Sequence, residues 1–120
     1  MTAQTTLGYL YEKGLGVPQS YPDALAWYLK AAALGHAAAE RNIGALYERG
    51  HGVPQDYAAA LVWYRRAAAR GNADAEYKLA LLYADGHGVP ADLAEARSWM
   101  QKAAGSGDPE ARKWLQAHGG

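Results

Sequence analysis

An all-α solenoid is the fold this sequence predicts. Three observations predict it: a 36-residue period kept without an insertion, two helix-length amphipathic stretches per period, and glycine and proline at fixed points between them. Gly14-Leu15-Gly16-Val17-Pro18 returns as Gly50-His51-Gly52-Val53-Pro54 and again as Gly86-His87-Gly88-Val89-Pro90. Tyr11, Tyr47 and Tyr83 hold the same register, as do Leu10, Leu46 and Leu82, Trp27, Trp63 and Trp99, and Gly35, Gly71 and Gly107.

Taken in order, the elements form three units and a last helix. Unit one covers 1–36, unit two 37–72, unit three 73–108, and a capping helix follows over 109–118, all in one repeat domain. In unit two, Ala39, Ile43, Leu46 and Tyr47 share one helical face, which places a first helix at 37–49. Tyr57, Ala60, Leu61, Tyr64, Ala67 and Ala68 place a second at 57–70. Gly50 supplies a left-handed C-cap, Gly52 a tight turn, and Pro54 stops the first helix from continuing. Ser20, Asp56 and Asp92 are placed to N-cap the second helices. Ser20 with Asp23, and Asp92 with Glu95, have the capping-box spacing.

Gly35, Gly71 and Gly107 end the second helices, and His36, Asn72 and Asp108 stand at the next N-cap. Asp108-Pro109-Glu110 is a helix start with an acidic cap, proline at the first position and an acid in the first turn. Links this short admit only antiparallel neighbours, so a right-handed stack of helix pairs follows. Ala111 and Leu115 can cover unit three, while Gln116 and His118 make the outer side of the last helix polar. No such cap precedes the first helix, where Leu7, Leu10 and Tyr11 leave the outer side partly apolar. Weak self-association through that helix is one expectation; a fragment or designed array without a partner is another.

Composition narrows the function classes. Twelve basic and twelve acidic residues cancel across 120 residues, which removes the net basic field of a general nucleic-acid binder. With no cysteine, neither a disulfide framework nor a thiolate metal site can form. The start, Met1-Thr2-Ala3-Gln4-Thr5-Thr6, is unlike a signal peptide, and no apolar run approaches the roughly 20 residues that span a bilayer. A soluble protein of cytoplasm or periplasm is expected, and the high Ala, Gly and Arg content points to a bacterial source.

The unit Leu-Gly-x-x-Tyr-x-x-Gly-x-Gly-Val-Pro, followed by Ala-x-x-Trp-Tyr-x-x-Ala-Ala-x-x-Gly, resembles the Sel-one-like repeat, a relative of the tetratricopeptide repeat. It appears from Gly8 to Gly35, Ile43 to Gly71 and Leu79 to Gly107. Unit three departs by Ala80 for the first Gly and Met100 for the Tyr after Trp99, which should loosen local packing. The resemblance implies a scaffold or adaptor that binds a protein or peptide in a concave groove lined by the first helices. It also implies an alternative, a bacterial cell-wall-associated protein that binds or weakly hydrolyses β-lactam or peptidoglycan, as some cysteine-rich members do with β-lactams; this chain lacks their cysteines.

Register assigns the outward residues of that groove. Unit one offers Thr2, Thr5, Thr6, Tyr9, Glu12 and Lys13, and unit two Arg41, Asn42, Ala45, Glu48 and Arg49. Unit three offers Asp74, Tyr77, Lys78, Leu81 and Asp85, and the last helix Glu110, Lys113 and Trp114. Tyr and Trp supply anchoring area, while Arg and Asn can fix backbone or carboxylate groups. The same residues also suit a plain solvated helix face with i,i+4 pairs. Trp114 aligns with Asn42 and Lys78, so register exposes it; a lid over the end of the stack is the other reading.

Catalytic, cofactor and metal sites are not expected. The ladders at 11/47/83, 27/63/99 and 28/64 repeat too strictly for a binding box and read as packing. His51 and His87 share a loop position from which two imidazoles of neighbouring units could bind zinc or copper, but Leu15 fills that position in unit one and argues against a metal role. His36 and His118 fall at helix ends. Ser20, Ser98 and Ser106 lack a nucleophile elbow, and no phosphate-cradling glycine motif is present.

Overall fold

Side chains set the helix starts. Ser20, Asp56 and Asp92 accept from the backbone N–H three residues on, as do Thr2, Asn72 and Asp108. His36 occupies the equivalent position but makes no side-chain cap bond. The computed structural model describes residues 2–119, and the helices are α1 (Ala3–Lys13), α2 (Tyr21–Ala33), α3 (Ala37–Arg49), α4 (Tyr57–Ala69), α5 (Ala73–Asp85), α6 (Leu93–Gly105) and α7 (Pro109–Ala117). No strand occurs among the described residues. Each helix packs on its neighbours in sequence, giving a stack 45 × 27 × 23 Å in extent.

Only one half of the expected capping box forms. The amides of Ser20, Asp56 and Asp92 donate to the carbonyls of Tyr11, Tyr47 and Tyr83, each at 2.9 Å, and not to a side chain three residues on. The loop folds back so tightly that the end of the first helix supplies the acceptor. Gln19 and Gln55 strengthen this closure, donating from Nε2 to the carbonyls of Glu12 and Glu48 at 2.9 and 2.8 Å. The turn starts at Gly50, whose φ of 69° is the left-handed conformation a C-cap requires.

The core lies between successive helices. Ala24, Tyr28 and Ala31 of α2 cluster with Ala39, Ile43 and Leu46 of α3, and Ala60, Leu61 and Tyr64 of α4 with Ala75, Leu79 and Leu82 of α5. A third cluster joins Ala80, Met100, Ala103 and Ala111. Trp27, Trp63 and Trp99 are half-buried, with Lys30, Arg66 and Lys102 lying 4.4, 4.8 and 4.2 Å from the ring centres. At α1 the apolar face is less covered. Leu7, Leu10 and Tyr11 are half-buried, whereas Ile43 and Leu46, at the register of the two leucines, are fully buried.

The two loop histidines do not face each other. His51 stacks on Tyr21 at 4.7 Å and His87 on Tyr57 at 4.3 Å, so each joins its loop to the preceding unit. Leu15 has no preceding tyrosine among the described residues and stays 51% exposed. Among the described residues no group of three His, Cys, Asp or Glu is placed to hold a metal.

The departures in unit three do not act as independent loosening changes. A Cβ on Gly8 would lie 2.5 Å from the Tyr28 ring, and one on Gly44 2.8 Å from the Tyr64 ring. Where Ala80 brings that Cβ, the ring is gone and Met100 stands in its place; both are fully buried. Met adapts its shape to such a neighbour.

Gly44→Ala is therefore expected to destabilise the fold by about 1–3 kcal/mol, the range for overpacking. In a Tyr64→Met background the same change should cost much less. Urea unfolding of the two single variants and the double variant measures the coupling, and additive losses would disprove it.

Candidate protein-binding surface

The first helices bring most of the expected residues to the surface, but five of them are placed otherwise, and the apolar one, Ala45, is buried. Thr5 is fully buried, its hydroxyl 2.8 Å from that of Thr2 at the helix start. Glu12 is buried because Tyr28 donates its hydroxyl to the Glu12 carboxylate at 2.6 Å. Glu48, half-buried, accepts from Tyr64 in the same way at 2.5 Å. Asn42 is buried and accepts from Arg41 Nη1 at 2.8 Å. Register points these side chains to solvent, but hydrogen bonds to the helix start, to the preceding residue or to the partner helix fix the four polar ones in the structure.

Arg41 ties the surface together. Its Nε donates to Asp74 on α5, so a guanidinium on one first helix is bonded to a carboxylate on the next. Both side chains remain partly exposed, and the pair gives register more than stability. Tyr9 is 40% exposed, and Lys13 lies 3.8 Å from Glu12. Arg49 and Asp85 are exposed and Lys78 half-exposed, and none of these three forms an ion pair among the described residues. Lys113 pairs with Glu110 at 3.5 Å on α7, both side chains exposed.

Towards α7 the surface becomes apolar. Tyr77, Leu81 and Trp114 are half-buried and pack against Ala80, Met100 and Ala111. Trp114 combines both readings of its register: one face rests against the cluster and His118 stacks on the ring at 3.8 Å. Burial first, then the carboxylates of Glu110, Asp108 and Asp74, raise the Tyr77 phenol.

The serines have structural partners or none. Ser20 caps α2, Ser106 donates to Glu76 at 3.1 Å, and Ser98 lines a shallow depression with Leu93, Ala94, Arg97 and Gln101, away from the first helices. A second depression, lined by Glu40, Arg66 and Arg70, holds the Arg70–Glu40 pair at 2.8 Å.

This architecture, helix pairs stacked in a fixed register, defines an α-α repeat protein. The chain belongs to the Sel1 repeat family, whose model matches residues 2–36, 37–72 and 73–108. Among solved structures it is similar to a Sel1 repeat protein from Oxalobacter formigenes, with 44% identity and a TM-score of 0.87 over 91% of this chain and 45% of that one. It is also similar to a protective antigen with an SLR fold from uropathogenic Escherichia coli, with 38% identity and a TM-score of 0.91 over 94% of this chain and 24% of that one. The chain thus spans less than half the length of either protein. Cysteine-rich protein B of Helicobacter pylori, 22% identical with a TM-score of 0.79 over 95% of this chain and 98% of that one, shares the fold. No curated protein matches the chain. Sel1-repeat proteins are generally protein-interaction scaffolds on a fold that is generally non-catalytic. No helix among the described residues is long and apolar enough to cross a membrane.

The two buried phenols make alkaline pH a probe of the surface. Burial, then the bond to a carboxylate, raises Tyr28 and Tyr64 above the ordinary tyrosine value. The folded state then holds these protons where the unfolded chain releases them. Their contribution is complete below about pH 10 and is lost as pH rises above it. Stability should fall on that limb in urea titrations, and Tyr28→Phe/Tyr64→Phe should flatten it. At neutral pH, Tyr28→Phe should cost about 1–3 kcal/mol by leaving buried Glu12 without its donor, and Tyr64→Phe less, since water reaches Glu48.

Proposed function

We propose that this chain is a binding module that holds a protein or peptide segment in a concave groove lined by α1, α3, α5 and α7. The observation that carries the reading is the state of the first-helix side chains. Buried polar groups are satisfied internally, while Tyr9, Arg49, Lys78 and Asp85 keep exposed surface that no internal hydrogen bond or ion pair uses among the described residues. A fixed scaffold with free aromatic and charged groups is what recognition of an extended segment requires, because little ordering cost remains on the protein side. The Arg41–Asp74 bridge supports this by holding neighbouring first helices in register.

Within the groove, Tyr9, Lys13, Arg49, Tyr77, Lys78, Leu81, Asp85, Lys113 and Trp114 supply contacts, while Thr5, Glu12, Arg41, Asn42, Glu48 and Asp74 position them. The test is cross-linked capture from a bacterial lysate with the native chain and with Arg49→Glu/Lys78→Glu/Trp114→Ala, each checked for helicity by circular dichroism. A protein captured by the native chain and lost by the helical variant is the expected result. Equal capture by both overturns the groove and moves binding to the second helices.

A further inference from the structure

The first-helix surface changes character along its length, and the change coincides with the coupled substitutions of unit three. In units one and two the inner wall is polar: Glu12 holds the Tyr28 hydroxyl and Glu48 that of Tyr64. Both carboxylates are engaged, and the exposed charges beside them, Lys13 and Arg49, are cations. At the same register in unit three stand Ala84 and Met100, with Ala80 for the glycine, so glycine, acid and phenol are replaced together by apolar groups. The rim there is Tyr77, Leu81 and Trp114, half-exposed over the cluster that contains Met100. No packing need forces the change, because two units show the polar version fitting the same helix pair.

We propose, building on the groove reading above, that the groove has two subsites: a cationic one over α1 and α3 and an apolar one over α5 and α7. Its ligand is an extended peptide that joins acidic residues to a large apolar or aromatic side chain. The acidic part neutralises Arg49, which forms no ion pair among the described residues, and Lys13, which is exposed and has only the distant Glu12 carboxylate at 3.8 Å. The apolar side chain covers Leu81, Ala84 and the edge of Trp114, whose face His118 already occupies. Attraction to the cations sets association rate and salt dependence, while burial of the apolar group sets residence time.

The probes are fluorescein-labelled synthetic peptides in both chain directions: an acidic run joined to Leu-Trp, the acidic run alone, Leu-Trp alone, and a lysine run joined to Leu-Trp. Fluorescence anisotropy at two salt concentrations should rank the first peptide tightest. Lys13→Glu/Arg49→Glu should weaken the acidic peptides at low salt and reverse their salt dependence, since salt screens repulsion as well as attraction. Ala80→Gly/Ala84→Glu/Met100→Tyr restores in unit three the arrangement of the other two, so it keeps the fold, which urea unfolding checks. It should weaken the joined peptide about tenfold or more, the loss of one buried apolar side chain, and leave the acidic peptide unchanged. Leu81→Ser should give a smaller loss in the same direction, changing only a side chain that packs on the buried cluster and leaving Ala80, Ala84 and Met100 as they are. If binding responds to Lys13→Glu/Arg49→Glu but not to the triple variant or Leu81→Ser, the apolar subsite is overturned and the groove stands. Binding indifferent to all of these variants overturns the groove as well. If no peptide binds in either direction, the two-subsite ligand is overturned.

Discussion

The bond from Tyr28 to Glu12, with its copy from Tyr64 to Glu48, is the constraint on which the pairing of helices depends. Each phenol lies fully buried against a glycine of the partner helix, at a distance that leaves no room for a Cβ. The ring therefore fixes how closely the two helices approach, and the hydroxyl fixes where along the partner it sits. A buried carboxylate without a donor would be costly. Slipping one helix against the other would lose ring packing and leave Glu12 unsatisfied at once. The loop bonds act in the same sense, since the amides of Ser20, Asp56 and Asp92 reach the carbonyls of Tyr11, Tyr47 and Tyr83 only in this arrangement.

Unit three solves the same problem with other chemistry. Replacing both partners of a buried hydrogen bond by apolar groups can be nearly neutral, whereas replacing one is not. Met100 without Ala84 would leave an acid lacking its donor, and Ala80 with a tyrosine would collide with the ring. The three replacements are thus one change in three places. Their effect reaches the surface, because Ala84 is partly exposed where unit one has Glu12, and Leu81 and Trp114 pack on an apolar cluster.

Much of the fold was legible in the sequence because its signals are local. Glycine at a left-handed cap, Asp or Ser at an N-cap and apolar spacing within one helix act over a few residues. The second helices end one residue before the boundary at 70, as Tyr57–Ala69 shows. The candidate surface was less legible, since it turns on partners far away in sequence. Register places Glu12 on the surface, yet its partner is 16 residues further on. Asn42 and Arg41 look like independent outward groups until Asp74, 33 residues from Arg41, joins them. One signal was present and unused: Glu and Tyr occur together at 12/28 and 48/64 and vanish together at 84/100. Thr5 had no such signal, because its register equivalents Arg41, Tyr77 and Lys113 are all large and polar or aromatic.

The two ends of the stack differ for a physical reason that the inner repeats reveal. Between units, a loop side chain covers the start of the preceding second helix, as His51 covers Tyr21 and His87 covers Tyr57. One turn further along, Leu61 is buried in the cluster that Tyr83 and Val89 pack against. On α6 the corresponding residues are Leu93, 59% exposed, and Arg97. Arg97 donates to the carbonyl of His118 at 2.9 Å, which fixes the end of α7 and places a cation where the inner repeats bury a leucine. Extending the stack over that surface would bury a guanidinium, at a cost the inner junctions do not carry. At α1 the corresponding surface is Leu7, Leu10, Tyr11 and Leu15, without a charged side chain among them. The two surfaces thus differ in kind: that of α6 carries a guanidinium held by a backbone carbonyl, and these four side chains of α1 carry no charge.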